Sequence, residues 1–175
     1  MFRFLFAPVL ILAGLLLAGC TSSDEDSGDA PKKAAAPLAE LHAPTTATDS
    51  DWKLYLQQVV SRNMAGVTDR VFPYYLPANS TVPTPGDAEG RSQFDRQLEN
   101  VTAAVTRTVL PGNMLAFGSP DSAKMADLIT SAFGGGKADA LKGSQVLFIG
   151  SVADQPRVQA AVEATGAKFI FVEAK

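Results

Sequence analysis

Apolar residues follow three regimes along this chain. Residues 4–18 form one uncharged, mostly apolar run, residues 21–48 hold almost no large apolar side chain, and from residue 49 onward the apolar positions become periodic. Trp52, Tyr55, Leu56, Val59, Val60 and Met64 recur at spacings of three and four, which predicts an amphipathic helix over 50–64, with Asp49 and Ser50 available to cap it. Phe94, Leu98, Val101, Val105 and Val109 predict a second helix over 92–109, opened by the capping pair Ser92 and Asp95 and closed by Pro111-Gly112.

The last third changes character. Residues 114–117 (Met-Leu-Ala-Phe), 146–149 (Val-Leu-Phe-Ile) and 169–172 (Phe-Ile-Phe-Val) are short continuous apolar runs, as expected of strands buried on both faces. Between them Met125, Leu128, Ile129, Ala132 and Phe133, then Val158, Ala161, Val162 and Thr165, keep helical spacing, with Gly134-Gly135-Gly136 and Gly166 as stops. The order strand, helix, strand, helix, strand predicts an α/β fold. Its parallel sheet has at least three strands joined by right-handed crossovers, and the two earlier amphipathic helices cover a face of it.

The apolar run of 15 residues at 4–18 follows a cationic start at Arg3 and ends in the small residues Ala18-Gly19, the layout of an export signal. It contains Pro8 and falls short of the roughly 20 apolar residues that a membrane-spanning helix needs, so removal is expected. Leu17-Ala18-Gly19-Cys20 resembles the lipobox of bacterial lipoproteins. The resemblance covers the first 20 residues and implies cleavage between Gly19 and Cys20, a diacylglyceryl group on the Cys20 thiol and an acylated amino group. It further implies the outer membrane, facing the periplasm, because Thr21 stands where an aspartate would retain such a protein at the inner membrane. Two or three acyl chains anchor durably, since each buried methylene contributes about 0.8 kcal/mol. Cys20 is the only cysteine, so no intramolecular disulfide can form.

Composition then divides the chain into a signal at 1–19, a lipidated tether at 20–48 and one domain at 49–175. The tether carries Asp24, Glu25, Asp26 and Asp29 among Ala, Pro, Ser and Thr, too little apolar surface to offset chain entropy, so disorder is expected there, His42 included. The 127 residues of 49–175 suffice for one core. Fifteen lysines and arginines against 18 acids give a net charge of −3, which becomes −4 once Arg3 leaves with the signal. With no basic cluster, nucleic acid is not the expected partner.

Candidate chemistry is sparse. Phe117-Gly118-Ser119-Pro120-Asp121 echoes Ile149-Gly150-Ser151-Val152-Ala153-Asp154, each leaving a strand through Gly-Ser with an aspartate near the next helix. Ser119, Asp121, Ser151 and Asp154 therefore lie where open parallel sheets bind ligands, and they are equally suited to capping the helices. Phe133-Gly-Gly-Gly-Lys137 lacks the spacing of a phosphate loop, and no dinucleotide fingerprint follows a strand, so no cofactor is expected. His42 is the one histidine and Cys20 is committed to lipid, which leaves no Ser-His-Asp arrangement and no His/Cys metal set.

Residues 70–90 hold Pro73, Pro77, Pro83 and Pro85 together with Phe72, Tyr74 and Tyr75. These rings suit either a partner-binding surface or packing over the sheet edge, with 71–75 as a further strand. The expected function is thus a non-enzymatic binding domain for an envelope protein or component, held to the membrane through Cys20. A small polar ligand at the strand ends is the alternative, and carboxylate chemistry the third.

Overall fold

The computed structural model describes residues 40–45, 48–107 and 109–175. The signal at 1–19, Cys20 and most of the tether lie outside the described residues. Among the described residues no helix is long and apolar enough to cross a membrane.

The compact unit runs from Ala39 to Lys175, starting ten residues before the expected boundary. Leu41 and Ala43 pack against core residues, and the Ala43 N–H donates to the Lys175 carbonyl. The last residues of the predicted tether thus belong to the domain.

Among the described residues, four helices alternate with four strands: α1 (Asp49–Arg62), β1 (Val71–Tyr75), α2 (Gln93–Thr106), β2 (Met114–Gly118), α3 (Ser122–Phe133), β3 (Gln145–Gly150), α4 (Gln155–Glu163) and β4 (Lys168–Glu173). The α/β class and the parallel sheet are as expected from the sequence, and 71–75 is a fourth strand. All pairings are parallel and the spatial order is β1-β2-β3-β4, the order of the chain.

That sequential order fixes the layers. Right-handed crossovers that always step in one direction leave their helices on one side of the sheet, so α2, α3 and α4 share a face. There Leu115, Phe117, Val146 and Phe148 meet Val101, Val105, Met125, Leu128, Ile129 and Phe133. The helix α1 precedes β1 and belongs to no crossover. It covers the other face, where Trp52, Tyr55, Leu56 and Val59 pack on Met114, Ala116, Leu147 and Ile149. The two amphipathic helices therefore lie on opposite faces, not on one.

Local signals account for most helix ends. Ser92 and Asp95 form the expected reciprocal capping box, Asp95 N–H donating to Ser92 Oγ at 3.2 Å and Ser92 N–H to Asp95 Oδ2 at 2.8 Å. At α1 the cap is Thr48, whose hydroxyl accepts the Asp51 N–H, and Asp49 and Ser50 are already helical. The helix α2 stops at Thr106, short of Val109. Pro111 biases Leu110 toward an extended backbone, so the helix ends before reaching it.

Candidate partner-binding groove

The carboxyl ends of the strands come first, because four sequence-nominated residues sit there. Ser119 Oγ accepts the Asp121 N–H at 3.0 Å, and Asp121 Oδ1 accepts the Lys124 N–H at 3.1 Å, which caps α3. Ser151 Oγ accepts the Ala153 N–H at 3.2 Å. Asp154 sits at the start of α4 without capping it. Its carboxylate instead accepts Ser122 Oγ at 2.6 Å and the Arg157 Nε and Nη2 donors at 3.1 and 2.8 Å. Ser122 Oγ also accepts the Ser151 N–H at 2.8 Å, and Arg157 reaches Asp127 and the Ala123 carbonyl.

These side chains lock the start of α3 to the start of α4. A Cβ on Gly150 would stand 2.6 Å from Ser122 Oγ and 2.3 Å from Phe148 Cζ, so glycine is what lets β3 pass this close. Ligand crevices in open sheets form where successive crossovers leave on opposite faces. The order β1-β2-β3-β4 never reverses, so no such crevice opens here. Ser122 and Asp127 escaped the sequence reading because their partners Asp154 and Arg157 lie about 30 residues away, beyond any local pattern.

Burial alone would raise the Asp154 carboxyl, but the Ser122 hydroxyl and the Arg157 guanidinium outweigh it and hold its pKa below the ordinary value. An unfolded aspartate titrates near about 3.9. With the folded pKa lower, the lock contributes fully above that value and is lost as pH falls through the folded pKa. Asp154→Asn is therefore expected to lower the urea midpoint at neutral pH, and the gap from wild type should narrow as the pH drops below about 4. A gap independent of pH would show that the charge of Asp154 contributes nothing.

The three nominated aromatics do not form one surface. Side chains alternate along β1, so Phe72 and Tyr74 face the α2 side and Tyr75 faces α1. Tyr75 Oη donates to Asp49 Oδ1 at 3.0 Å, and Lys53 Nζ lies 5.4 Å from its ring centroid. Burial, then the Asp49 carboxylate, push its phenol pKa well up. Tyr74 stacks on Phe117 with ring centroids 5.0 Å apart and becomes part of the core, and only Phe72 stays largely exposed, at 38%.

Beside Phe72 runs a groove of about 410 Å³ between β1 and the end of α2. Phe72, Tyr74, Ala104, Val109, Leu110 and Leu115 give it apolar walls, and Asp69, Arg70, Arg107 and Asn113 complete the lining. Its frame is braced. Asn113 Oδ1 accepts the Arg70 N–H at 3.1 Å, while Asn113 Nδ2 and Ser144 Oγ donate to the Leu110 carbonyl at 2.7 and 3.0 Å. Gly112, at φ +86°, accepts the Thr68 and Asp69 N–H groups on its carbonyl; a Cβ there would meet Thr68 Oγ1 at 2.3 Å. The Leu110 backbone is thus fixed while its side chain stays 65% exposed. Arg70 has Asp69 at 3.9 Å, too far for a hydrogen bond, and the Arg107 side chain is exposed.

No family model matches this chain, and neither a curated protein nor a solved structure matches it. Its function must be argued from this geometry.

Phe72 was legible as a candidate in the sequence. Arg107 was not, because the helix expected over 92–109 runs three residues past its end at Thr106, and Leu110 was not, because it follows that stretch with no pattern of its own. The signal that finds them is Pro111, which places an irregular segment between α2 and β2.

Proposed function

We propose that this protein is a lipid-anchored envelope lipoprotein whose α/β domain is a non-enzymatic binding module, and that the groove beside β1 holds an extended segment of an envelope protein. One observation carries the reading. Two exposed large apolar side chains, Phe72 and Leu110, stand over a preformed apolar groove with Arg70 and Arg107 at its rim. In a chain of net charge −3, two arginines at one apolar groove favour a segment that sets a carboxylate beside an apolar side chain. Aromatic and arginine side chains are also those that dominate binding energy at interfaces. The strand ends support a ligand less well, because the hydroxyls and carboxylates there are committed to backbone and to Arg157.

The resemblance of Leu17-Ala18-Gly19-Cys20 to a lipobox supports an anchor on Cys20, and Thr21 supports the outer membrane. The test is site-specific photocrosslinking in the native envelope. A photoreactive residue at position 110 is expected to give one dominant adduct, and Arg107→Glu to reduce it several-fold. The same probe at Val152, 54% exposed but beyond the opposite end of the sheet, should give none. Equal labelling from 110 and 152 would remove the groove from consideration.

A further inference from the structure

The two margins of the sheet are built differently. Along β1, Met114 donates to the Arg70 carbonyl and Leu76 to the Gly118 carbonyl, so even-numbered residues face β2 and the outward backbone groups belong to Val71, Pro73 and Tyr75. Pro73, in the middle of that row, has no N–H, a common way of blunting an exposed edge.

Along β4, Lys168 donates to the Ser144 carbonyl and Ala174 to that of Gly150, so the outward groups belong to Phe169, Phe171 and Glu173. This row contains no proline and no charge between Lys168 and Glu173. Among the described residues, no backbone bond reaches its outer side until Lys175, whose carbonyl accepts Ala43. The side chains from Phe169 to Val172 are half-buried, as on a strand with one neighbour missing.

We propose that β4 pairs antiparallel with β4 of a second copy, joining two sheets into one. A two-fold axis normal to the sheet through Phe171 sets Phe171 against its own copy and Phe169 against Glu173. Each of these pairs exchanges N–H and carbonyl bonds in both directions. The same axis places Ile170 opposite Val172 on the α1 face, an apolar cross-strand pair. The antiparallel direction keeps like faces together: with the axis normal to the sheet, Ile170 and Val172 of both copies lie on the α1 side and Phe169 and Phe171 of both on the other, so each apolar face continues across the joint. The joint is confined to Phe169–Glu173, because the Lys175 carbonyl beyond it is already taken by Ala43, and α1, which packs on β1 and β2, does not reach the β4 margin. Pro73 denies β1 the equivalent ladder.

The unit 39–175 contains both cores and every helix and strand of the described residues, so it can be tested by itself. Sedimentation equilibrium is expected to show a reversible monomer–dimer system. Glu173→Pro removes one outward donor and none of the bonds to β3, which Val172 and Ala174 make, so it should sediment as a monomer. In wild type, hydrogen exchange at the Phe169 and Phe171 amides should slow by about tenfold or more from dilute to concentrated protein, with Tyr75 unchanged. The exchange measurement stands even where the proline variant fails to fold. A protein monomeric at every concentration overturns the proposal, and so does a dimer in which these two amides exchange as freely as in the monomer.

Discussion

Replacing Cys20 by serine is expected to abolish incorporation of labelled palmitate completely, while the domain at 39–175 keeps its fold. The reason is chemical. A thioether to diacylglycerol requires a thiol, and no other cysteine exists in the chain to substitute for it. Membrane anchoring should be lost with it, because durable binding needs two or three acyl chains. Intact mass of the processed wild-type protein provides the complementary check. It should correspond to a chain starting at Cys20 plus its acyl groups. A wild-type mass that fits an unmodified Cys20, or a different first residue, would sink the anchoring argument and leave the groove and its crosslinking test untouched.

The second large effect is on stability. Phe117→Ala should cost about 3–5 kcal/mol, read as a lowered urea midpoint of the 39–175 unit. Phe117 is fully buried at the centre of the α2–α4 face, stacked on Tyr74 and edge-on to Phe133 with centroids 6.1 Å apart. Truncating it removes contacts to β1 and α3 at once and leaves a cavity that β2, hydrogen-bonded on both sides, cannot collapse to fill. A typical domain has about 5–15 kcal/mol in total, so a large share of the stability depends on this one ring. Leu110→Ala is the control. Its side chain is outside the core, and its cost should stay within about 0.5 kcal/mol. A Phe117→Ala cost as small as that would contradict the layer arrangement.

How much of this was legible in the sequence follows from the range of the forces involved. Period-3.6 and continuous apolar patterns placed α3, β3 and α4, because one buried face dictates each helix and burial on both faces dictates the strand. The capping box at Ser92 and Asp95 was readable because its two partners lie three residues apart. β1 was harder. Pro73, Pro77, Pro83 and Pro85 mark an irregular segment, yet Pro73 sits on the outward-facing side of an edge strand, where a missing N–H costs the sheet nothing. The opposed placement of α1 and α2 was invisible locally, since both helices carry the same kind of apolar stripe and only the crossover handedness separates them. The same limit applies to the site residues. Ser119 and Asp121 were nominated by position, and the structure shows their polar atoms turned onto neighbouring N–H groups. Asp154 was expected near a helix start and is there, but its partner Ser122 comes from the preceding βα unit.

The unbroken order β1-β2-β3-β4 has a consequence for how the chain reaches its native state. Every strand pairs with the one made just before it, so sheet growth needs only the closure of moderate loops and never the insertion of a late strand between two earlier ones. Topologies rich in such near-neighbour pairings fold quickly for their class. A chain emerging amino terminus first can add each βα unit to a template already in place, and the margin completed last is β4.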